Sequence, residues 1–273
     1  MKRPPIRIKW HMLRCRRSDP PFLRENLYRA IAAGAPCEVD IVFTADGHAL
    51  CLHDLDLDQE TTGRGPVLAK TRTEIERLRQ RGPGGSILDA PPLFLDEIVE
   101  AVGQGDTLPA AAVQLDIKAP LDSLSEGGLR RVRSTLGDAA PLFIAGGYDW
   151  AMIERLTKAV PGLHAGFDPL AHYPRSCALN AEEFRRLGEA TLATASGAQM
   201  FYLEAKLVLA GLRQGVNLIE LVSRHGASVD VWTIDANRPG LRKVLGRVIA
   251  AGCHQITSND PEMLGPLVEE IAG

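Results

Sequence analysis

Short apolar runs alternate along the chain with longer stretches whose apolar positions recur at helical spacing. IRIKW (6–10), PCEVDIVFT (36–44), AAAVQLDIK (110–118), PLFIAG (141–146), GLHAGF (162–167), AQMFYL (198–203), SVDVWTI (228–234) and CHQIT (253–257) read as buried strands. Helical patterns fall between them: PFLRENLYRAIAAG (21–34), closed by Gly34, then KTRTEIERLR, LFLDEIVEAVG and residues 122–136. WAMIERLTKAV, NAEEFRRLGEATLATA, NLIELVSRHG and GLRKVLGRVIAAG continue the series. After the second strand the chain turns at ADG and returns as HALCLH (48–53). With that returning strand set aside, about eight strand–helix units remain. The pattern predicts an α/β fold, a (β/α)8 TIM barrel formed by residues 1–273 as one domain, with a small insertion over roughly 45–109. A doubly wound sheet would need a phosphate loop. The Gly-rich run RGPGGS (81–86) precedes no strand-to-helix turn and reads as a surface loop.

Polar residues interrupt these strands at a few places. Glu38 and Asp40 lie two apart and so share one strand face, as do Asp116 and Lys118. His11 follows the first strand, His53 ends the returning one, and Asp235 follows the seventh, just after Trp232. In a barrel, catalytic groups gather at the C-terminal strand ends. Three carboxylates converging in a low-dielectric interior repel one another unless a cation lies among them. Glu38, Asp40 and Asp116 are therefore expected to hold one divalent cation, and an all-oxygen set favours Mg2+ or Ca2+ over zinc. Each residue also has a plainer reading. A strand carboxylate pairs with arginine, His53 satisfies a backbone carbonyl, Lys118 neutralises Asp116, and Trp232 fills core. His48, beside the Asp46–Gly47 turn, reads as a solvated loop residue, and His164, His172, His225 and His254 as structural.

Bulk properties narrow the setting. The 273 residues carry 31 basic and 34 acidic side chains, so nothing points to nucleic acid as a partner. Five scattered cysteines (Cys15, Cys37, Cys51, Cys177, Cys253) with no CxxC spacing suggest neither a zinc knuckle nor a disulfide framework. No run has the length of a membrane span, and MKRPPIRIKWH lacks the apolar core of a signal peptide. A reducing, cytoplasmic location is expected.

The motifs resemble those of the glycerophosphodiester phosphodiesterase family. The family's His after the first strand, its EN opening a helix, and its E-x-D…T-x-D-G…H-D…T-T-G-x-G signature stand here as His11, Glu25-Asn26, EVDIVFTADGHALCLHD and TTGRGPV. DIK (116–118), Trp232-Thr233 and TSNDPEML match later family segments. The resemblance implies metal ligation by Glu38, Asp40 and Asp116, acid/base roles for His11 and His53, and phosphate contact by Lys118. The chain departs from the family in reading HMLR where relatives have His-Arg-Gly, in the long stretch from Met12 to Arg24, and in Asp116 where most relatives have Glu. Arg14 or Arg16 is expected to replace the missing phosphate-binding arginine. The venom phospholipase D toxins, distant relatives that release cyclic phosphates, share the His-Met and the Asp-apolar-Lys.

The resulting expectation is a metal-dependent phosphodiesterase acting on a small glycerophosphodiester or sugar phosphodiester through a cyclic phosphate. The agrocinopine-type sugar branch is suggested by the arginine-rich entrance and by Trp232 as a stacking surface. The competing readings are a toxin-like phosphotransferase whose final product is cyclic, a barrel isomerase using the same groups, and a catalytically inactive ligand-binding barrel.

Overall fold

The computed structural model describes residues 5–103, 108–173 and 179–273; Cys177 lies outside them. The first half contains β1 (Arg7–Trp10), α1 (Arg24–Ala32), β2 (Cys37–Phe43), β3 (Ala49–Cys51), α2 (Arg72–Ile75), α3 (Leu95–Gly103), β4 (Val113–Ile117), α4 (Glu126–Leu136) and β5 (Phe143–Gly146). The second contains α5 (Trp150–Ala159), β6 (His164–Phe167), α6 (Ala181–Thr194), β7 (Met200–Glu204), α7 (Ala205–Arg213), α8 (Leu218–Ser223), β8 (Ser228–Trp232), α9 (Leu241–Ala251), β9 (Gln255–Ser258) and α10 (Pro261–Ala272).

The ring runs β1-β9-β8-β7-β6-β5-β4-β2, all parallel, and a parallel contact of Trp10 with Cys37 joins β1 to β2 and closes it. The fold is a (β/α)8 barrel. β3 is the expected returning strand, antiparallel to β2 and outside the ring. Its turn works because Gly47 takes φ 79° and donates to Thr44 O at 2.9 Å.

Some boundaries differ from the sequence pattern. KTRTEIERLR gives only the single turn α2, despite a full capping box between Thr71 and Glu74. The chain is drawn off into short bridges, Thr61 with Gln80 and Arg81 with Ile87, and tertiary pairing overrides helix propensity. RGPGGS is exposed apart from Arg81 and Gly82 and holds one short helical turn, Pro83–Gly85. The strand expected from Pro141 starts at Phe143, since Pro141 sits in a preceding 3-10 segment and has no N–H for the ladder.

Apolar side chains pack between ring and helices in two large clusters, one around β2, β4 and β5 and the other around β6 to β9. The barrel interior is different. Lys9 is buried there, 3.0 Å from Asp230 Oδ2, hydrogen-bonded to Gln114 and 4.4 Å from the centroid of the Tyr202 ring. Asp230 also accepts from Gln255 Nε2 at 2.6 Å and Thr257 Oγ1 at 2.7 Å, so its buried charge is fully engaged. Tyr202 lies against Gly146 and Gly166, where a Cβ would approach its ring to 2.7 and 2.6 Å. Lys9, Gln114, Tyr202 and Asp230 each stand two residues before a mouth residue, Asp116, Glu204 and Trp232 at the ends of their own strands and His11 just after β1. This polar plug is therefore the floor of the site.

Candidate active site

The β2–β4 register sets Asp40 directly beside Asp116 and Glu38 beside Gln114. Oxygens of Glu38, Asp40 and Asp116 all fall within 4.8 Å of one another. Glu38 Oε1 and both Asp40 carboxylate oxygens are buried without a hydrogen-bond partner. Lys118 Nζ hydrogen-bonds Asp116 Oδ2 at 2.6 Å and lies 3.0 Å from Asp40 Oδ1, in ion-pair contact but outside hydrogen-bond geometry. One ammonium against three carboxylates leaves negative charge uncompensated. Burial, then the charges of Asp40 and Asp116, push the Glu38 carboxyl well above its ordinary range. Burial works against the Lys118 charge, but Asp116, Asp40 and Glu38 outweigh it and hold this lysine above the usual range. Hard, closely set, orphaned oxygens are what an oxygen-seeking divalent cation requires, so the residues present fit one.

His11 sits beside this cluster because the chain turns sharply after β1. Met12 and Leu13 take left-handed φ of 51° and 57°, a strain held by their burial. The turn aims the Met12 amide at Glu38 Oε2, 2.7 Å away. Asn259, just after β9, donates through Nδ2 and its backbone N–H to Asp235, at 2.9–3.2 Å. Its Oδ1 therefore faces His11 Nδ1 at 2.8 Å and Arg14 NH1 at 3.0 Å. A carbonyl only accepts, so Nδ1 carries the proton and Nε2, 3.9 Å from Glu38 Oε2, keeps its lone pair. Burial lowers the His11 pKa below the ordinary histidine value, with the Asp40 charge opposing.

His53 is half-exposed. Its Nδ1 lies 2.9 Å from Asp54 Oδ1. Its backbone is held by Glu60, whose Oε2 accepts from the amides of His53 at 2.8 Å and Asp54 at 3.2 Å. Glu60 is followed directly by buried Thr61, which donates to Leu57 O and accepts from the Gly63 amide, so the TTG signature anchors the turn from which Glu60 holds His53. His11, His53, Glu38, Asp116, Lys118 and Trp232 line one cavity of about 830 Å³ at the barrel mouth.

A family model described as "Glycerophosphoryl diester phosphodiesterase family" matches residues 25–263. The chain belongs to this family. Among similar proteins, the "Probable glycerophosphodiester phosphodiesterase 1" of Mycobacterium tuberculosis is 27% identical over 212 residues, covering 72% of this chain and 70% of that one. A glycerophosphodiester phosphodiesterase of Caldanaerobacter subterraneus is 24% identical over 270 residues, covering 93% and 96%. In fold the chain is similar to an Oleispira antarctica phosphodiesterase solved with its product sn-glycerol-3-phosphate (TM-score 0.69, 15% identity, 96% of each chain covered). It is also similar to a glycerophosphodiester phosphodiesterase of Agrobacterium tumefaciens (TM-score 0.69, 18% identity, 97% and 99% covered). The protein is a phosphoric diester hydrolase of the glycerophosphoryl diester phosphodiesterase family.

The stretch from Met12 to Arg24 differs from the arginine-rich entrance expected from the sequence. Met12, Leu13, Cys15 and Phe22 are buried. Asp19 Oδ2 ties the loop by accepting from the amides of Cys15 and Arg16 and from Asn26 Nδ2. Arg16 pairs with Glu262, Arg17 with Asp235 and Arg24 with Glu97, and none of the three lines the cavity. Arg14 alone of the four faces the carboxylates, reaching Asn259. His48 also departs from expectation. It is only partly exposed and meets Phe94 edge to face, 6.4 Å between centroids.

Sequence reasoning missed Lys9, Glu60, Asp168, Glu204, Asp230 and Asn259. Glu60 had a signal in its position against TTG. Asn259 stands in the matched TSNDP segment. Asp168 directly follows β6 and lines the cavity, and burial, reinforced by the Asp116 charge, raises its pKa to about 7.

Proposed function

We propose that the protein hydrolyses glycerophosphodiesters with one divalent cation, Mg2+ or Ca2+, held by Glu38, Asp40 and Asp116. The observation that carries this reading is the set of orphaned carboxylate oxygens at the mouth of a cavity that also holds both histidines. Bound there, the cation would act as a Lewis acid toward a non-bridging phosphate oxygen. The remaining chemistry belongs to side chains. His11 Nε2, left unprotonated by the Asn259 contact, takes the proton of the attacking hydroxyl. His53, half-exposed and braced by Asp54, gives a proton to the leaving alkoxide and recharges from solvent. Lys118 and Arg14 offset charge growing on the phosphoryl oxygens. Where the substrate carries a hydroxyl next to the ester, that hydroxyl attacks first and yields a cyclic phosphate, which water then opens. In the toxin-like alternative the cyclic ester is the final product. The sugar-phosphodiester reading loses three of its four loop arginines, Arg16, Arg17 and Arg24, to ion pairs and rests on Trp232 at the cavity wall.

Phosphorus NMR on glycerophosphodiesters with Mg2+, Ca2+ or chelator tests this. Metal-dependent appearance of a phosphomonoester supports the proposal, and a transient or final cyclic signal separates the two routes. Full turnover in chelator rejects the metal. Absence of any product, with ligand still bound, leaves the inactive barrel.

A further inference from the structure

Nothing in the proposed reaction uses the excursion that follows β3 or its Gly-rich run, yet His53 stands at its root. β3 ends at Cys51, and the Leu52 amide still reaches Asp40 O at 3.2 Å. The next two amides, of His53 and Asp54, go to a single oxygen, Glu60 Oε2. The imidazole is half-exposed, so packing does not fix it and the anchored backbone decides where Nε2 points.

Glu60 is itself clasped from the far side of the excursion. Arg81 donates its amide to Glu60 O and its Nε to Thr61 O, both at 2.7 Å. Thr62 donates its amide to Arg79 O at 2.9 Å, and its Oγ1 accepts from the Arg79 amide at 3.0 Å. The RGPGGS run then folds back on itself. Gly82 N–H meets Ser86 O at 2.7 Å and Leu88 N–H meets Gln80 O at 2.9 Å, closing the hairpin that carries Arg81. Beneath it, Leu57, Val67 and Ile75 share a buried apolar cluster with Val42, Leu50 and Phe94, which seats the excursion on β2 and β3. Asp54 already brings a carboxylate to His53 Nδ1, 2.9 Å away, so no charge is required of Glu60. We infer that the excursion is the mount of His53, with Glu60 a positioning residue that acts by accepting two amides and Arg81 holding Glu60 in place. The role rests on the reading of His53 as the acid.

The ethyl and p-nitrophenyl diesters of glycerol phosphate test this. Ethoxide needs a proton as it leaves, whereas nitrophenolate leaves as the anion. Glu60→Leu should lower kcat on the ethyl diester by about tenfold or more with KM little changed, and far less on the nitrophenyl diester. Glu60→Gln keeps an oxygen that can accept both amides and should restore most of the rate. In a His53→Ala background Glu60→Leu should cost nothing further, because the group it positions is gone. Arg81→Met should repeat the selective loss in milder form, and it carries the test if E60L does not fold. Amide exchange followed by NMR reads the anchor without turnover: protection at His53 and Asp54 should be lost in E60L and kept in E60Q. Equal losses on both diesters where H53A separates them, a full further loss in the His53→Ala background, or E60Q as slow as E60L would overturn the assignment. If H53A does not separate the two diesters, the acid reading of His53 fails, and the exchange pattern alone decides whether Glu60 anchors it.

Discussion

His11 donates Nδ1–H to Asn259, and Asn259 is fixed by Asp235, so three residues set one tautomer. Removing the imidazole in His11→Ala should lower kcat/KM by about 100-fold or more. Asn259→Leu keeps the imidazole but frees its tautomer, and kcat should fall while KM changes little. The pH profile carries a second signature. Burial lowers the His11 pKa, so the base form persists below the ordinary value of about 6.5, and the acid limb of kcat/KM should lie on that side. Asn259→Asp brings a carboxylate to Nδ1 and should move the limb upward; an unmoved limb would remove His11 as the base. The triad gives a test independent of turnover. Glu38→Gln deletes one of three crowded charges, while its amide oxygen can still accept from Met12. In chelator its Tm should equal or exceed that of wild type, and added Mg2+ or Ca2+ should raise the wild-type Tm by several degrees but not that of E38Q. The carboxylates were legible because side chains two apart in a strand share a face. Asp235 was visible at its strand end, but its role and that of Asn259 were not, since that role exists only once β8, β9 and β1 lie side by side. The arginines of residues 14–24 misled for a related reason: composition does not show which carboxylates sit nearby to engage them.

The strands and their order carried through from pattern to structure, because alternating apolar runs are long-lived signals of burial. Short elements fared worse. The capping box at Thr71 starts a helix, but the bridges of Thr61 and Arg81 end it within a turn, and that competition is tertiary. The segment after β6 shows a further element-scale effect. Asp168 caps the turn Pro169–His172, and its carboxyl is raised to about 7. The folded state thus holds this proton where the unfolded chain, near the ordinary aspartate value of about 3.9, has lost it. Stability contributed by the protonated form is present below about pH 4 and is lost as pH rises toward and through 7. Asp168→Asn should flatten this loss, so that the Tm of the metal-free variant exceeds wild type more at pH 8 than at pH 5. Equal differences at both pH values would mean that Asp168 ionises freely.

At the scale of the whole barrel, the polar plug is a buried ion pair with every partner in place. Lys9→Met leaves Asp230 without its cation and should cost about 3–5 kcal/mol, read by denaturant unfolding. Lys9→Met with Asp230→Leu should recover much of that loss, because a pair removed together leaves no stranded charge. Sequence pattern could announce the barrel but not its contents, since Lys9 reads as the solvent side of an edge strand until the ring closes. That closure also dictates an order in time. β1 meets β2 through a single register pair, Trp10 with Cys37, but pairs with β9 over its full length, from Arg7–Gln255 to Trp10–Ser258. His11 awaits the same partner, 248 positions away. A ribosome-bound chain that has emerged only as far as β8 already owns the three triad carboxylates and both histidines of the mouth, yet His11 has no fixed proton and the mouth has a missing stave. Catalysis should therefore switch on late in synthesis, abruptly, when β9 slides between its first-made and last-made neighbours.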